Sequence, residues 1–87
     1  MIAPISIEPA EDVAVLYVRY ANATVRRTIA VDPDAEILAD IANDETIVGI
    51  ECLSMEPNSR AALVTFARDH GLTLPGEIDT FTTSNLP

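Results

Sequence analysis

Apolar and polar residues alternate over four stretches of the chain, which is the pattern of half-buried β-strands. The four stretches span residues 13–20, 25–31, 36–42 and 46–53. Turn-forming residues separate them, at Asn22, at Asp32-Pro33-Asp34 and at Asn43-Asp44-Glu45. Because connections this short join antiparallel neighbours, the pattern predicts an antiparallel four-stranded β-meander.

The spacing of the apolar positions changes from two to three or four residues after the fourth stretch, which predicts one α-helix over residues 59–70. Its apolar stripe consists of Ala62, Leu63, Phe66, Ala67 and His70. Asn58 or Ser59 is expected to cap the N-terminus. Gly71 is placed for a left-handed C-terminal cap, with Leu72 supplying the hydrophobic contact that accompanies it. We expect this stripe to cover one face of the sheet.

Together these elements predict one α+β domain over residues 1–87, a four-stranded β-meander with one C-terminal α-helix packed on one face. Hydrophobic residues make up 48% of the chain, which is typical of a globular domain. Residues 73–87 contain two prolines and a Ser/Thr cluster, so this tail is expected to be partly mobile. Ile78 and Phe81 are apolar enough to dock on the rest of the domain.

The strand pattern also leaves a second, partly apolar face on the side away from the helix. Its candidate interaction surface consists of Tyr17, Arg19, Leu38, Asp40, Ile47, Glu51 and Leu53. An exposed patch of this kind marks an interface, for self-association as a homodimer or for docking of a partner. The alternative is that residues 2–7 or the tail cover it. Gly49 lies in the fourth strand, where it permits close approach of a neighbouring backbone or aromatic ring.

The charge of the chain limits its partners. Five arginines, no lysine and fourteen acidic residues give a net charge of −9. This field repels nucleic acid and anionic membranes and attracts a basic protein, although it also serves to keep a small protein soluble. No stretch of the sequence is long and apolar enough to span a membrane, and the N-terminus does not resemble a signal peptide. We therefore expect a cytoplasmic protein.

The sequence offers little catalytic chemistry and predicts no enzyme, cofactor or metal. Cys52 shares strand parity with core residues, where a thiol is inert, and His70 is expected to act as a cation at the helix C-terminus. The acidic turn that starts at Asp32 fails as a calcium loop, because the sixth position is Ile37 and the twelfth is Asn43.

One acidic pair leaves an alternative open. Asp40 and Glu51 are expected to approach each other across a hairpin, and paired carboxylates can perform acid–base chemistry. With an arginine, they would form the site of a small enzyme or ligand binder. The other interpretation is an ordinary solvent-facing strand surface, on which Arg19 or Arg26 neutralises the carboxylates in cross-strand ion pairs.

The central stretch contains three segments in a familiar order: Leu16-Tyr17-Val18-Arg19, Ile37-Leu38-Ala39-Asp40 and Ile47-Val48-Gly49-Ile50-Glu51. In these segments, and most specifically in the third, the chain resembles a small bacterial family known as domain of unknown function 2283. The resemblance covers residues 5–55 and implies a compact β-meander without catalytic residues. It also implies an antitoxin-like or partner-binding role. Together with the acidic charge, this predicts a protein-interaction module, an antitoxin-like or regulatory partner of a small basic protein. Asn43-Asp44-Glu45 departs from the family's Asp-Gly turn, so a looser turn is expected here.

Overall fold

The computed structural model describes residues 1–9, 16–34 and 36–76 and confirms an α+β fold. A five-stranded antiparallel sheet precedes one C-terminal helix. The elements are β1 (Ser6–Pro9), β2 (Leu16–Arg19), β3 (Arg27–Ala30), β4 (Ile37–Ile41), β5 (Ile47–Cys52) and α1 (Pro57–Asp69). Residues 13–15 of the first predicted strand lie outside the described residues, as do Ile78, Phe81 and most of the tail.

The strand order β1-β2-β5-β4-β3 corrects the predicted meander. β2 pairs with β1 and β5 rather than with β3, so the turn predicted around Asn22 does not form a hairpin. Residues 20–26 instead cross the end of the sheet, where the Tyr20 and Ala21 N–H groups donate to the Val48 carbonyl. The Arg26 N–H donates to the Ile41 carbonyl on the far side. Strands β3, β4 and β5 form a meander, and β2 lies beside β5 at its end. This four-strand arrangement is a Greek key.

β1 is the strand that the sequence pattern missed. It is only four residues long, and it carries Ser6 and Glu8 on one side and Ile7 on the other. Its register with β2 pairs Ile7 with Val18, which turns Ile7 toward the core. The chain start is held as well, because Ile2 forms a parallel bridge with Leu72.

The core lies between one face of the sheet and α1. Its fully buried side chains with the largest volumes are Ile37, Ile50, Leu63, Val18, Val48 and Cys52. The helix contributes Leu63, Phe66 and Ala67, as its apolar stripe predicts, whereas His70 is exposed. Burying Leu63 and Phe66 stabilises the fold by roughly 1.5–3 kcal/mol each.

The sequence predicted the C-terminal cap of α1 correctly but not its N-terminal cap. The predicted caps at Asn58 and Ser59 are wrong, since the helix starts two residues earlier with Glu56 as N-cap and without a side-chain cap. Pro57 fits the first turn because it has no N–H to satisfy. The C-terminal cap is confirmed, with Gly71 at φ 67° and Leu72 buried.

β3 forms an exposed edge of the sheet. All four of its residues are exposed, because the helix does not extend over this strand. Strand alternation in the sequence places Val25, Ile29 and Val31 on one face with the core, but Ile29 remains 37% exposed and Val25 42% exposed. Arg27 lies at the sheet margin, and its guanidinium pairs with Glu45 Oε1 at 2.7 Å.

Candidate functional site

The sheet face opposite α1, here called the open face, carries two rows of residues that cross all five strands. One row is Ser6, Arg19, Gly49, Asp40 and Thr28. The other row is Glu8, Tyr17, Glu51, Leu38 and Ala30. Helix α1 packs on the other face of the sheet.

Five of the seven predicted surface residues belong to the open face, namely Tyr17, Arg19, Leu38, Asp40 and Glu51. The other two do not belong to either row. Ile47 pairs with Ile41 at a register shift and packs against the core. Leu53 follows the end of β5, and its N–H donates to the Glu36 carbonyl. The apolar part of the surface is therefore narrower than the sequence suggested.

Tyr17 lies flat across the centre of the open face. Its ring covers Gly49 so closely that a Cβ at that position would overlap the ring, which confirms the expected role of this glycine. The Tyr17 hydroxyl donates to Asp40 Oδ2 at 2.9 Å. Burial, and then the hydrogen bond to Asp40, raise the pKa of the Tyr17 phenol.

Arg19 connects Tyr17 to Glu8 on β1. Its Nε lies 2.9 Å from Glu8 Oε2, which also accepts a 2.7 Å hydrogen bond from the Ser6 hydroxyl. The guanidinium carbon lies 5.2 Å from the Tyr17 ring centroid, within the range of a cation–π contact. The hydrogen bond from Arg19 lowers the pKa of Glu8, and the same bond raises the pKa of Arg19.

Thr28 completes a connected set of side chains, because its hydroxyl donates to Asp40 Oδ1 at 2.6 Å. This polar belt consists of Ser6, Glu8, Arg19, Tyr17, Asp40 and Thr28. Its members lie on β1, β2, β4 and β3, and the Tyr17 ring crosses β5 by packing over Gly49. The belt therefore ties together all five strands on the side that the helix does not cover.

The sequence identified Tyr17, Arg19 and Asp40 but missed the remaining members of the belt. Ser6 and Glu8 were missed because β1 was not recognised as a strand. Thr28 was missed although its predicted strand lies beside the strand of Asp40, because the sequence does not give the register that places the two residues opposite each other. Ser6 and Glu8 alternate around Ile7 as in a strand, but this signal covers only four residues.

Asp40, Glu51 and Arg19 share the open face without forming a joint charge cluster. Arg19 is bonded to Glu8, and both oxygens of Asp40 accept hydrogen bonds from Tyr17 and Thr28. In register, Glu51 stands between Tyr17 and Leu38 in the adjacent row.

The remaining reactive groups lie on the helix side. Cys52 is fully buried, and burial raises the pKa of its thiol to about 12. The His70 ring stacks on Phe66 with centroids 4.0 Å apart, and its Nδ1 lies 3.0 Å from the Phe66 carbonyl oxygen. Both arrangements fit structural roles.

A shallow groove of about 320 Å³ runs between α1 and the end of β3. Its lining consists of Val31, Ala61, Ala62, Thr65, Phe66 and Asp69. The part of the chain that the structure describes contains no group of His, Cys, Asp and Glu side chains that could hold a metal ion. In the same part, α1 is too short and too polar to cross a bilayer.

Comparisons with known proteins yield no match to a family model, to a curated protein or to a solved structure.

Proposed function

We propose that this chain is a non-enzymatic protein-interaction module that binds a small basic protein on the open face of its sheet. The observation that supports this proposal is the polar belt, which fixes charged and aromatic side chains in a surface left uncovered by α1. Side chains that are already ordered lose less conformational entropy when a partner binds.

The charge of the open face matches a basic partner. In the two described rows of this face, Glu8, Asp40 and Glu51 contribute three carboxylates and Arg19 contributes one guanidinium. Tyr17 and Leu38 supply apolar area between these charges. The net charge of −9 adds long-range attraction, which raises the rate of encounter with a positively charged protein.

The alternative of an acid–base enzyme has weaker support. A general acid or base works best with a pKa near the working pH. On the open face, the pKa of Glu8 is lowered and the pKa values of Tyr17 and Arg19 are raised, so all three move away from neutrality. Each also bonds to another member of the belt, which favours a fixed recognition surface.

The test compares two charge reversals on opposite sides of the domain. Glu51→Lys changes the open face without removing a belt contact, whereas Asp69→Lys makes the same change of charge beside the groove. Affinity capture with the wild-type chain recovers candidate partners, and calorimetry then measures the affinity of each purified basic partner. The family resemblance makes toxin-like proteins the first class to examine.

We expect Glu51→Lys to weaken binding by roughly tenfold and Asp69→Lys to change it much less, because only the first charge is desolvated in the complex. Equal effects of the two variants would show that only net charge matters. Selective loss of binding with Asp69→Lys would place the partner on the helix side and refute the proposal.

A further inference from the structure

Among the described residues, no strand lies beside the outer edge of β3, so this edge presents backbone groups that could pair with another strand. The Val31 N–H donates to the Ile37 carbonyl on β4 at 2.8 Å. Since inward and outward residues alternate along an antiparallel strand, Arg27 and Ile29 also face β4, whereas Thr28 and Ala30 direct their N–H and C=O groups away from the sheet. This strand can therefore accept one more neighbour.

The side chains along this edge are also exposed. Ile29 is 37% exposed and Val25 42% exposed, although Ile29 is on the same sheet face as the core residue Ala39. The other edge of the described sheet, β1, ends in Pro9, which has no N–H to offer a new strand. β3 contains no proline, so the two edges differ in their capacity for pairing.

The charges around β3 are arranged with opposite signs at its two ends. Arg26 and Arg27 stand at the beginning of the strand, and Asp32 and Asp34 follow its end. A second copy of the strand in antiparallel orientation would place its acidic end beside the arginines and its arginines beside the acidic end. The charges around β3 are thus complementary to those of a second, antiparallel copy of β3, although the whole chain is acidic.

We propose that two copies of this chain associate through β3 to form a continuous ten-stranded antiparallel sheet. A two-fold axis perpendicular to the sheet passes beside Ile29, so that Thr28 of each copy pairs with Ala30 of the other and the two Ile29 side chains meet. The same axis keeps both open faces on one side. This inference concerns a different surface from the proposed function and does not depend on it.

The first test removes only an outward hydrogen bond. Ala30→Pro deletes an N–H that points away from β4, whereas Ala30→Val keeps this N–H and adds a β-branched side chain that suits a strand. Sedimentation equilibrium is expected to show a dimer for the wild type and for Ala30→Val, and a monomer for Ala30→Pro. Circular dichroism checks that all three chains fold.

The second test uses the charges and stays informative if Ala30→Pro fails to fold. In this register Arg26 faces Asp32 of the other copy and lies diagonal to its Asp34, so Arg26→Glu and Asp34→Arg each bring like charges together on both sides of the axis. Each is expected to raise the dissociation constant roughly tenfold. An equimolar mixture of the two variants gains more opposite-charge contacts than either variant has alone and is expected to form mixed dimers. A wild-type chain that stays monomeric up to about 1 mM would overturn the proposal. Failure of the mixture to recover would overturn it as well.

Discussion

The ring of Tyr17 occupies the space that a side chain at position 49 would need. Gly49 faces Arg19 on β2 and Asp40 on β4, so it lies at the centre of the polar belt. Because this glycine leaves room, the Tyr17 hydroxyl can reach across β5 to Asp40. A single missing Cβ in the central strand thus allows a connection between strands that are not neighbours.

This relationship predicts the effect of Gly49→Ala. The added methyl group overlaps the Tyr17 ring and displaces it from Asp40, which is expected to lower the free energy of unfolding by about 2 kcal/mol. In a Tyr17→Ala background the methyl group meets no ring, and alanine suits a strand better than glycine. There, Gly49→Ala is expected to be neutral or stabilising. Urea unfolding of the wild type, the two single variants and the double variant measures the coupling between the two substitutions. Additive effects on the free energy of unfolding would contradict the contact between Tyr17 and position 49.

The faces of the strands and the two pairings β3 with β4 and β4 with β5 could be predicted from the sequence, but the neighbours of β2 could not. Alternation with a period of two places Tyr17, Arg19 and Asp40 on one side regardless of which strand lies beside which. Pairing depends on tertiary packing, and here the strand with Val48, Ile50 and Cys52 lies at the centre of the sheet. β2 therefore packs beside β5, and residues 20–26 become a crossing segment.

The polar belt shows the same limit in its individual members. Thr28 has the parity of the open face in the sequence, but its hydrogen bond to Asp40 exists only because β3 pairs with β4 in this register. Glu8 forms the ion pair with Arg19, but its strand β1 is so short and polar that its sequence cannot be distinguished from that of a loop. The local sequence pattern gives the sheet face on which a residue lies, whereas its hydrogen-bond or ion-pair partner depends on how the strands assemble.

The buried ionisable groups predict a loss of stability in alkali. Burial raises the pKa of Tyr20 from 10.0 to about 12 and the pKa of Cys52 from 9.0 to about 12. Since both groups are neutral in the fold and ionise more readily when unfolded, their contribution is complete below pH 9 and is lost as the pH rises toward 12. The free energy of unfolding is therefore expected to fall steadily above pH 9, by up to about 3 kcal/mol for Tyr20 and about 4 kcal/mol for Cys52.

Variants can separate these two contributions. Tyr20→Phe and Cys52→Val each remove one ionisable group, so each is expected to reduce the slope of stability against pH in this range. Met55→Leu replaces another buried core residue without altering the number of ionisable groups and serves as the control. Urea unfolding at several pH values gives the slopes. If both variants kept the wild-type slope, the assigned burial of these groups would be wrong.

The C-terminal cap of α1 predicts a specific cost for Gly71→Ala. Gly71 has φ 67°, and its N–H donates to the Arg68 carbonyl while the Leu72 N–H donates to the Ala67 carbonyl at 2.8 Å, which is a Schellman motif. An alanine in the left-handed region is strained, so we expect a loss of about 1–2 kcal/mol. Gly76→Ala is the matched control, because an added Cβ there meets no atom within 4 Å. Thermal unfolding should separate the two variants, and equal stability would contradict this reason for the glycine.

The turn between β4 and β5 offers a stabilising substitution at Glu45. This residue has φ 69°, and the turn closes through the Ala42 N–H, which donates to the Thr46 carbonyl. Glycine adopts such a conformation without strain, but replacing Glu45 also removes its exposed ion pair with Arg27. Glu45→Ala removes the same ion pair and keeps the strain. We therefore expect the glycine variant to exceed the alanine variant in unfolding free energy by about 1 kcal/mol. Urea unfolding measures this difference directly, and an alanine variant as stable as the glycine variant would show that the left-handed conformation costs nothing in this turn.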